Sequence, residues 1–241
     1  MRLHYLQHVE FEGPANIGSW AKENGHEISS THLYRWEKLP SLDSFDWLVV
    51  LGGPMNIYED REYPWLNAEK KFIREAVASN KIVLGICLGA QLLSDVLGGQ
   101  VVSNPYKEIG WYPVRLLPGA SGSGPFRGFP KEFMALHWHG DTFSLPKGAI
   151  MLAESEACPA QAFSYNGGRV VALQFHIEFS HEIVLSLVQN CADEMVDGQY
   201  IQRPDAILAR KEYFEDIHGK MLLLLRNIKS IEESGVSVAA S

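Results

Sequence analysis

Apolar residues fall along this chain in two rhythms. Residues 3–9, 47–51 and 81–86 carry short runs rich in apolar and β-branched side chains, the mark of buried strands, and 27–33 can form a further strand. Between them, residues 15–24 and 65–79 read as helices packed by one face, and Gly25 stands where the first would stop. The run at 81–86 passes straight into another amphipathic helix, which ends at Gly98-Gly99. Alternation of this kind predicts an α/β fold, a doubly wound and mostly parallel sheet flanked by helices.

From residue 100 the pattern shifts to short strand-like runs at 110–117, 132–138, 149–154 and 160–165. Asn166-Gly167-Gly168 is a hairpin signal leading into a buried strand from residue 169, and a helix over 182–196 closes the domain. Ser121-Gly122-Ser123-Gly124-Pro125 lacks the Lys-Ser/Thr ending of a phosphate loop and reads as a flexible surface loop. The expected division is one domain over 1–197 and a C-terminal helical extension with a tail over 198–241. Pro204 suits a helix start, and 205–228 reads as one helix with apolar positions at Ile207, Leu208, Phe214, Ile217, Met221, Leu224, Leu225 and Ile228. That stripe either docks on a partner, as in a homodimer, or packs on its own domain. Residues 231–241 read as a frayed tail.

The chemistry concentrates at two strand ends. Gly85-Ile86-Cys87-Leu88-Gly89 has the form of a nucleophile elbow, with small residues allowing a tight strand-to-helix turn. A thiolate at that helix N-terminus is stabilised by the macrodipole and free amides, although a free cysteine is also an ordinary core residue. The second buried strand ends in His176-Ile177-Glu178. A cysteine nucleophile needs a base, and the base needs an orienting carboxylate. In parallel sheets such groups gather beyond the carboxyl ends of strands, where Cys87, His176 and Glu178 all fall.

Leu51-Gly52-Gly53-Pro54, Gly85-Ile86-Cys87-Leu88-Gly89-Ala90-Gln91 and Gln174-Phe175-His176-Ile177-Glu178 together resemble the class I (triad) glutamine amidotransferases, over residues 1 to about 195. His137-Trp138-His139-Gly140-Asp141 resembles the His-Gly-Asp stretch of the glutaminase domain of GMP synthetases and their stand-alone relatives. The resemblance implies a flavodoxin-like three-layer sandwich and hydrolysis of the glutamine side-chain amide through a thioester. It implies Cys87 as nucleophile, His176 as acid and base, Glu178 as orienting carboxylate, and the Gly53 and Leu88 amides as oxyanion hole. Gln91 and main-chain groups near Met55, Gly140 and Asp141 are expected to bind the substrate. The family usually has proline where this chain has Ile177, a departure expected to spare the geometry.

Composition narrows the field. A net charge of −8 without a basic cluster argues against nucleic acid. Three cysteines without regular spacing argue for a reducing compartment, and no apolar run is long enough to span a bilayer, so the expectation is cytoplasmic with no membrane partner. His137 and His139 have metal-like spacing but no third ligand with convincing spacing, so neither metal nor cofactor is expected. Cys158 and Cys191 read as bystanders; Trp111 and Trp138 either line the pocket or fill the core. Three functions stay open: a glutaminase feeding ammonia to a separate synthase, a free-standing γ-glutamyl hydrolase with the same triad, and a non-catalytic regulatory module. The first two differ in room for the leaving amine, which segments 58–63 and 107–112 are expected to shape.

Overall fold

The computed structural model describes residues 1–122 and 124–233. Among them the strands form one nine-stranded sheet. Its first half is parallel, in the order β2 (Glu27–His32), β1 (Arg2–Gln7), β3 (Trp47–Val50), β4 (Ile82–Ile86) and β9 (Val170–Leu173). The second half continues antiparallel through β8 (Ala162–Tyr165), β7 (Ile150–Glu154), β5 (Val101–Leu116) and β6 (Glu132–Phe143). The hairpin between β8 and β9 turns through Asn166, Gly167 and Gly168, all at positive φ (52°, 64° and 89°).

Period-two alternation builds a core on each face of the parallel half. Trp47, Val49, Leu84, Ile86, Val171 and Leu173 face one core, with α1 (Ala15–Glu23), α4 (His181–Asn190) and α6 (Lys211–Glu233). Leu48, Val50, Val83, Val170 and Ala172 face the other, with α2 (Trp65–Ala78) and α3 (Leu88–Val96). The result is the expected three-layer sandwich, with the carboxyl ends of β1, β3, β4 and β9 opening on one edge.

Two strands run further than their sequence pattern indicates. Polar residues break the apolar rhythm of 101–109, yet β5 spans them with a bulge between Ser103 and Glu108, because β6 pairs there through His139 and Asp141. The helix expected over 182–196 ends at Asn190 and is followed by a 3-10 turn, Ala192–Glu194.

The helix expected over 205–228 is two helices, α5 (Pro204–Leu208) and α6. The break wraps Trp111, whose indole donates to the Ile207 carbonyl (3.0 Å) while Tyr213 and Phe214 pack edge-on against its ring. Trp111 is therefore a core residue. The apolar face of α6, from Phe214 to Ile228, is buried in the domain's own core, and Trp47 donates to Glu232 at 2.7 Å. That buried face packs on its own domain, the second of the two expected arrangements. In the expected surface loop, Pro125 and Phe126 are buried beneath α6, whose Asn227 amide holds the Pro125 and Arg127 carbonyls; Ser123 lies outside the described residues. Of the expected tail, 231–233 continue α6 and 234–241 lie outside the described residues.

Candidate active site

The elbow forms because its glycines are pressed from both sides. A Cβ at Gly85 would lie 2.4 Å from the Gly89 carbonyl oxygen, and one at Gly89 would lie 2.1 Å from that of Val50. Between them Cys87 adopts φ 52°, ψ −106°, a backbone region that costs free energy and is held by its surroundings. The Cys87 amide donates to Leu173 on β9 (2.7 Å), tying the elbow to the strand that carries the second motif. Cys87 is 7% exposed, with the Trp138 carbonyl 3.6 Å and the Gln174 amide 3.7 Å from its sulfur.

His176 reaches Cys87 after β9 leaves the regular sheet. Its backbone exchanges two hydrogen bonds with Leu136 of β6 (2.7 and 3.2 Å), and its ring stacks on Phe179 at 4.1 Å and 11°. Nδ1 donates to Glu178 Oε1 at 2.7 Å, which leaves the other ring nitrogen for hydrogen bonding with Cys87. Burial opposes a charge on this ring, but the Glu178 carboxylate and hydrogen bonds to Cys87 and Glu178 outweigh it, raising the pKa to about 10. A buried imidazole ring beside a cysteine sulfur, held by a carboxylate that favours its charged form, is an arrangement able to deliver and recover a proton at a nucleophile.

Cys87 and His176 open into a cavity of about 350 Å³ that Gly53, Met55, Leu88, Gln91, Gly140 and Asp141 also line. Glu178 stands behind His176, away from the lining. The Gly53 and Leu88 amides donate to no group among the described residues, and a Cβ at Gly53 would meet the Leu88 side chain at 3.2 Å. Gln91 bonds to Gln174 (3.3 Å), and Asp141 accepts from Asn56 (2.6 Å). Trp138, Glu59 and Lys107 line the same cavity, and Trp138 and Lys107 both bond to Glu194.

Several side chains here escaped the sequence reading. His8 is wholly buried: Nδ1 donates to the Gly52 carbonyl and Nε2 to Glu69, each at 2.8 Å. Burial disfavours its charge, yet Glu69 and the Gly52 carbonyl raise its pKa overall. The pair pins the Gly52-Gly53 turn. Glu12 lines the cavity with both carboxylate oxygens free of hydrogen bonds among the described residues. Burial pushes its pKa up to about 7, against the pull of His176 and His8. The available signal was position, since His8 and Glu12 follow the carboxyl end of β1. Cys191 also lines the cavity, with burial raising its thiol to about 12.

The third partner that spacing could not supply for His137 and His139 is Glu108, across the β5–β6 pairing. The three donor atoms lie within 4.8 Å of one another. The Glu108 carboxylate pairs with His139 (3.0 Å) and accepts from Ser155 and Gln161 (2.7 Å each), while His139 Nδ1 donates to the Asp141 carbonyl. This network braces the Gly140-Asp141 wall of the cavity.

The family model described as Glutamine amidotransferase class-I matches residues 17–194, and the chain belongs to that family. The putative glutamine amidotransferase-like protein YfeJ of Salmonella typhimurium is 39% identical over 203 residues, 83% of this chain and 84% of that one. The glutamine-hydrolyzing GMP synthase subunit of Thermoplasma acidophilum is 33% identical over 141 residues, 58% of this chain and 66% of that one. The crystal structure of a glutamine amidotransferase from Thermotoga maritima superposes with a TM-score of 0.85 at 32% identity, covering 95% of this chain and 97% of that one. Full-length GMP synthases also match, and this chain spans about a quarter of their length. The protein is a glutamine amidotransferase enzyme related to the GMP synthase glutaminase subunit. No helix among the described residues is long and apolar enough to cross a membrane.

Proposed function

We propose that the chain hydrolyses the side-chain amide of glutamine to glutamate and ammonia, with Cys87, His176 and Glu178 as its triad. Cys87 passes its thiol proton to His176 and attacks the amide carbon as the thiolate, and the Gly53 and Leu88 amides receive the oxyanion. His176 gives its proton to the departing nitrogen as the thioester forms, then takes one from the water that cleaves it. Glu178 keeps the ring in one orientation and offsets its charge. Gln91, Met55, Gly140 and Asp141 hold the amino-acid end, and Gln91 exchanges its bond to Gln174 for one to substrate. The observation that carries this reading is the ring of His176, bonded by Glu178 on one side and facing Cys87 on the other.

The match to a separate GMP synthase subunit supports delivery of the ammonia to a synthase on another chain. Residues 1–197 then form the catalytic unit, and the helices beyond residue 198 brace it. Ammonia and glutamate release from glutamine and from a γ-glutamyl dipeptide, measured side by side, tests the substrate. Preference for glutamine supports the glutaminase; Cys87-dependent turnover favouring the dipeptide makes the chain a γ-glutamyl hydrolase instead.

A further inference from the structure

The triad accounts for Cys87, His176 and Glu178, but not for a second buried carboxylate beside them. Glu12 is 5% exposed, lines the cavity and makes no hydrogen bond among the described residues. Its oxygens face the cavity with their acceptor capacity unused by the protein, so they are free to bind a ligand there. Its place is set by Gly52: a Cβ there would lie 2.6 Å from Glu12 Oε2, 3.3 Å from His176 Cε1 and 3.7 Å from Cys87 Cβ. The missing side chain of Gly52 thus makes the space in which this carboxylate meets the nucleophile and the acid.

Glu178 occupies Nδ1 of His176, so the departing nitrogen takes its proton from the ring nitrogen facing Cys87 and must sit within hydrogen-bond reach of it. That position borders the space Glu12 faces. Asn56, Gly140 and Asp141, which also line the cavity, are left for the amino-acid end. We infer that Glu12 accepts an N–H of the departing nitrogen and thereby matches the site to an amide leaving group rather than one without N–H. The inference rests on the triad reading above. A carboxylate is the strongest acceptor available for a nitrogen gaining positive character, and here it acts out of bulk water, where such bonds are worth most.

Four charged groups face Glu12: His8 beyond β1, His176 and Glu178 beyond β9, and Glu194 from the 3-10 turn after α4. Burial leaves its carboxyl titrating at about 7, so the better acceptor, the ionised form, accumulates as pH rises through neutrality.

The test compares glutamine with glutamate γ-methyl ester, whose leaving oxygen carries no N–H, in wild type, Glu12→Gln and Glu12→Ala. Both substrates use the same triad and the same amino-acid contacts, and ester turnover reports that a variant is folded. We expect the ratio of kcat/KM for amide over ester to fall about 10- to 100-fold in the variants. In wild type that ratio rises between about pH 6 and pH 8, and in Glu12→Gln it is flat. Equal losses on both substrates overturn the inference, since Glu12 then holds His176 or the amino-acid end. An unchanged ratio without loss overturns it as well. Absence of Cys87-dependent turnover of either substrate by wild type overturns the triad reading itself, and the inference with it.

Discussion

His176 and Glu178 are separated by a single residue, and their side chains meet at 2.7 Å while Ile177 between them points into the core and is fully buried. Both residues lie beyond the end of β9, where the chain has left the regular sheet. The bonds between His176 and Leu136 hold the irregular turn in place of a stiffer residue at 177.

Replacing Glu178 by Gln removes the carboxylate that raises the pKa of His176. The ring then titrates below about 10, and its tautomer is no longer fixed. Ammonia release from glutamine is expected to drop about 10²–10⁴-fold with the fold retained. Imidazole NMR across pH, beside the kinetics, checks both halves; full activity with an unmoved ring pKa would remove Glu178 from the triad.

Ile177→Pro sacrifices no hydrogen bond among the described residues, because the Ile177 amide donates to none. It does remove buried aliphatic surface, for an expected loss of about 1–3 kcal/mol. Urea midpoints and glutamine turnover should show a less stable enzyme with activity within about tenfold of wild type. A folded but inactive variant would mean that the turn depends on Ile177 itself.

Glu12 also leaves a signature in stability. Its carboxyl sits at about 7 in the folded chain against 4.5 as a free group, so the folded state holds a proton that the unfolded state has released. Stability therefore falls as pH rises from about 4.5 through about 7, and the loss persists above that. Glu12→Gln has no such titration and should gain on wild type by about 2–3 kcal/mol between pH 5 and pH 8. Parallel pH dependence of the two unfolding curves would show that Glu12 is not held in the protonated form by burial.

Two glycines predict opposite outcomes. Gly89→Ala drives a Cβ into the Val50 carbonyl and is expected to cost more than about 4 kcal/mol or to prevent folding. Gly219, in the middle of α6, has nothing within 4 Å of a Cβ, so Gly219→Ala should stabilise by about 0.5–1 kcal/mol. Thermal melts of the two variants decide the matter.

What the sequence made legible was local. The elbow at Cys87 is legible because the turn, the nucleophile and the glycines it requires are contiguous. The inner strands of the parallel half, β3, β4 and β9, are legible because each is buried on both faces. What stayed hidden depends on partners far along the chain. The break at residues 209–210 is made by Trp111, and the length of β5 by pairing with β6 across polar residues. Glu69 joins His8 from 61 residues away, and Glu108 completes the His137–His139 network from another strand. Glu12 was invisible for a different reason, since only the fold shows that its carboxylate lies in the cavity without a partner.

The most direct measurement is rapid-quench mass spectrometry of the enzyme during turnover of glutamine, followed by peptide mapping. A single glutamyl group on the peptide that carries Cys87, formed and lost at the rate of ammonia release and absent from Cys87→Ser, is the expected result. Glutamine consumption with no label on Cys87, undiminished in Cys87→Ser, would contradict the thioester mechanism and the role of the elbow with it.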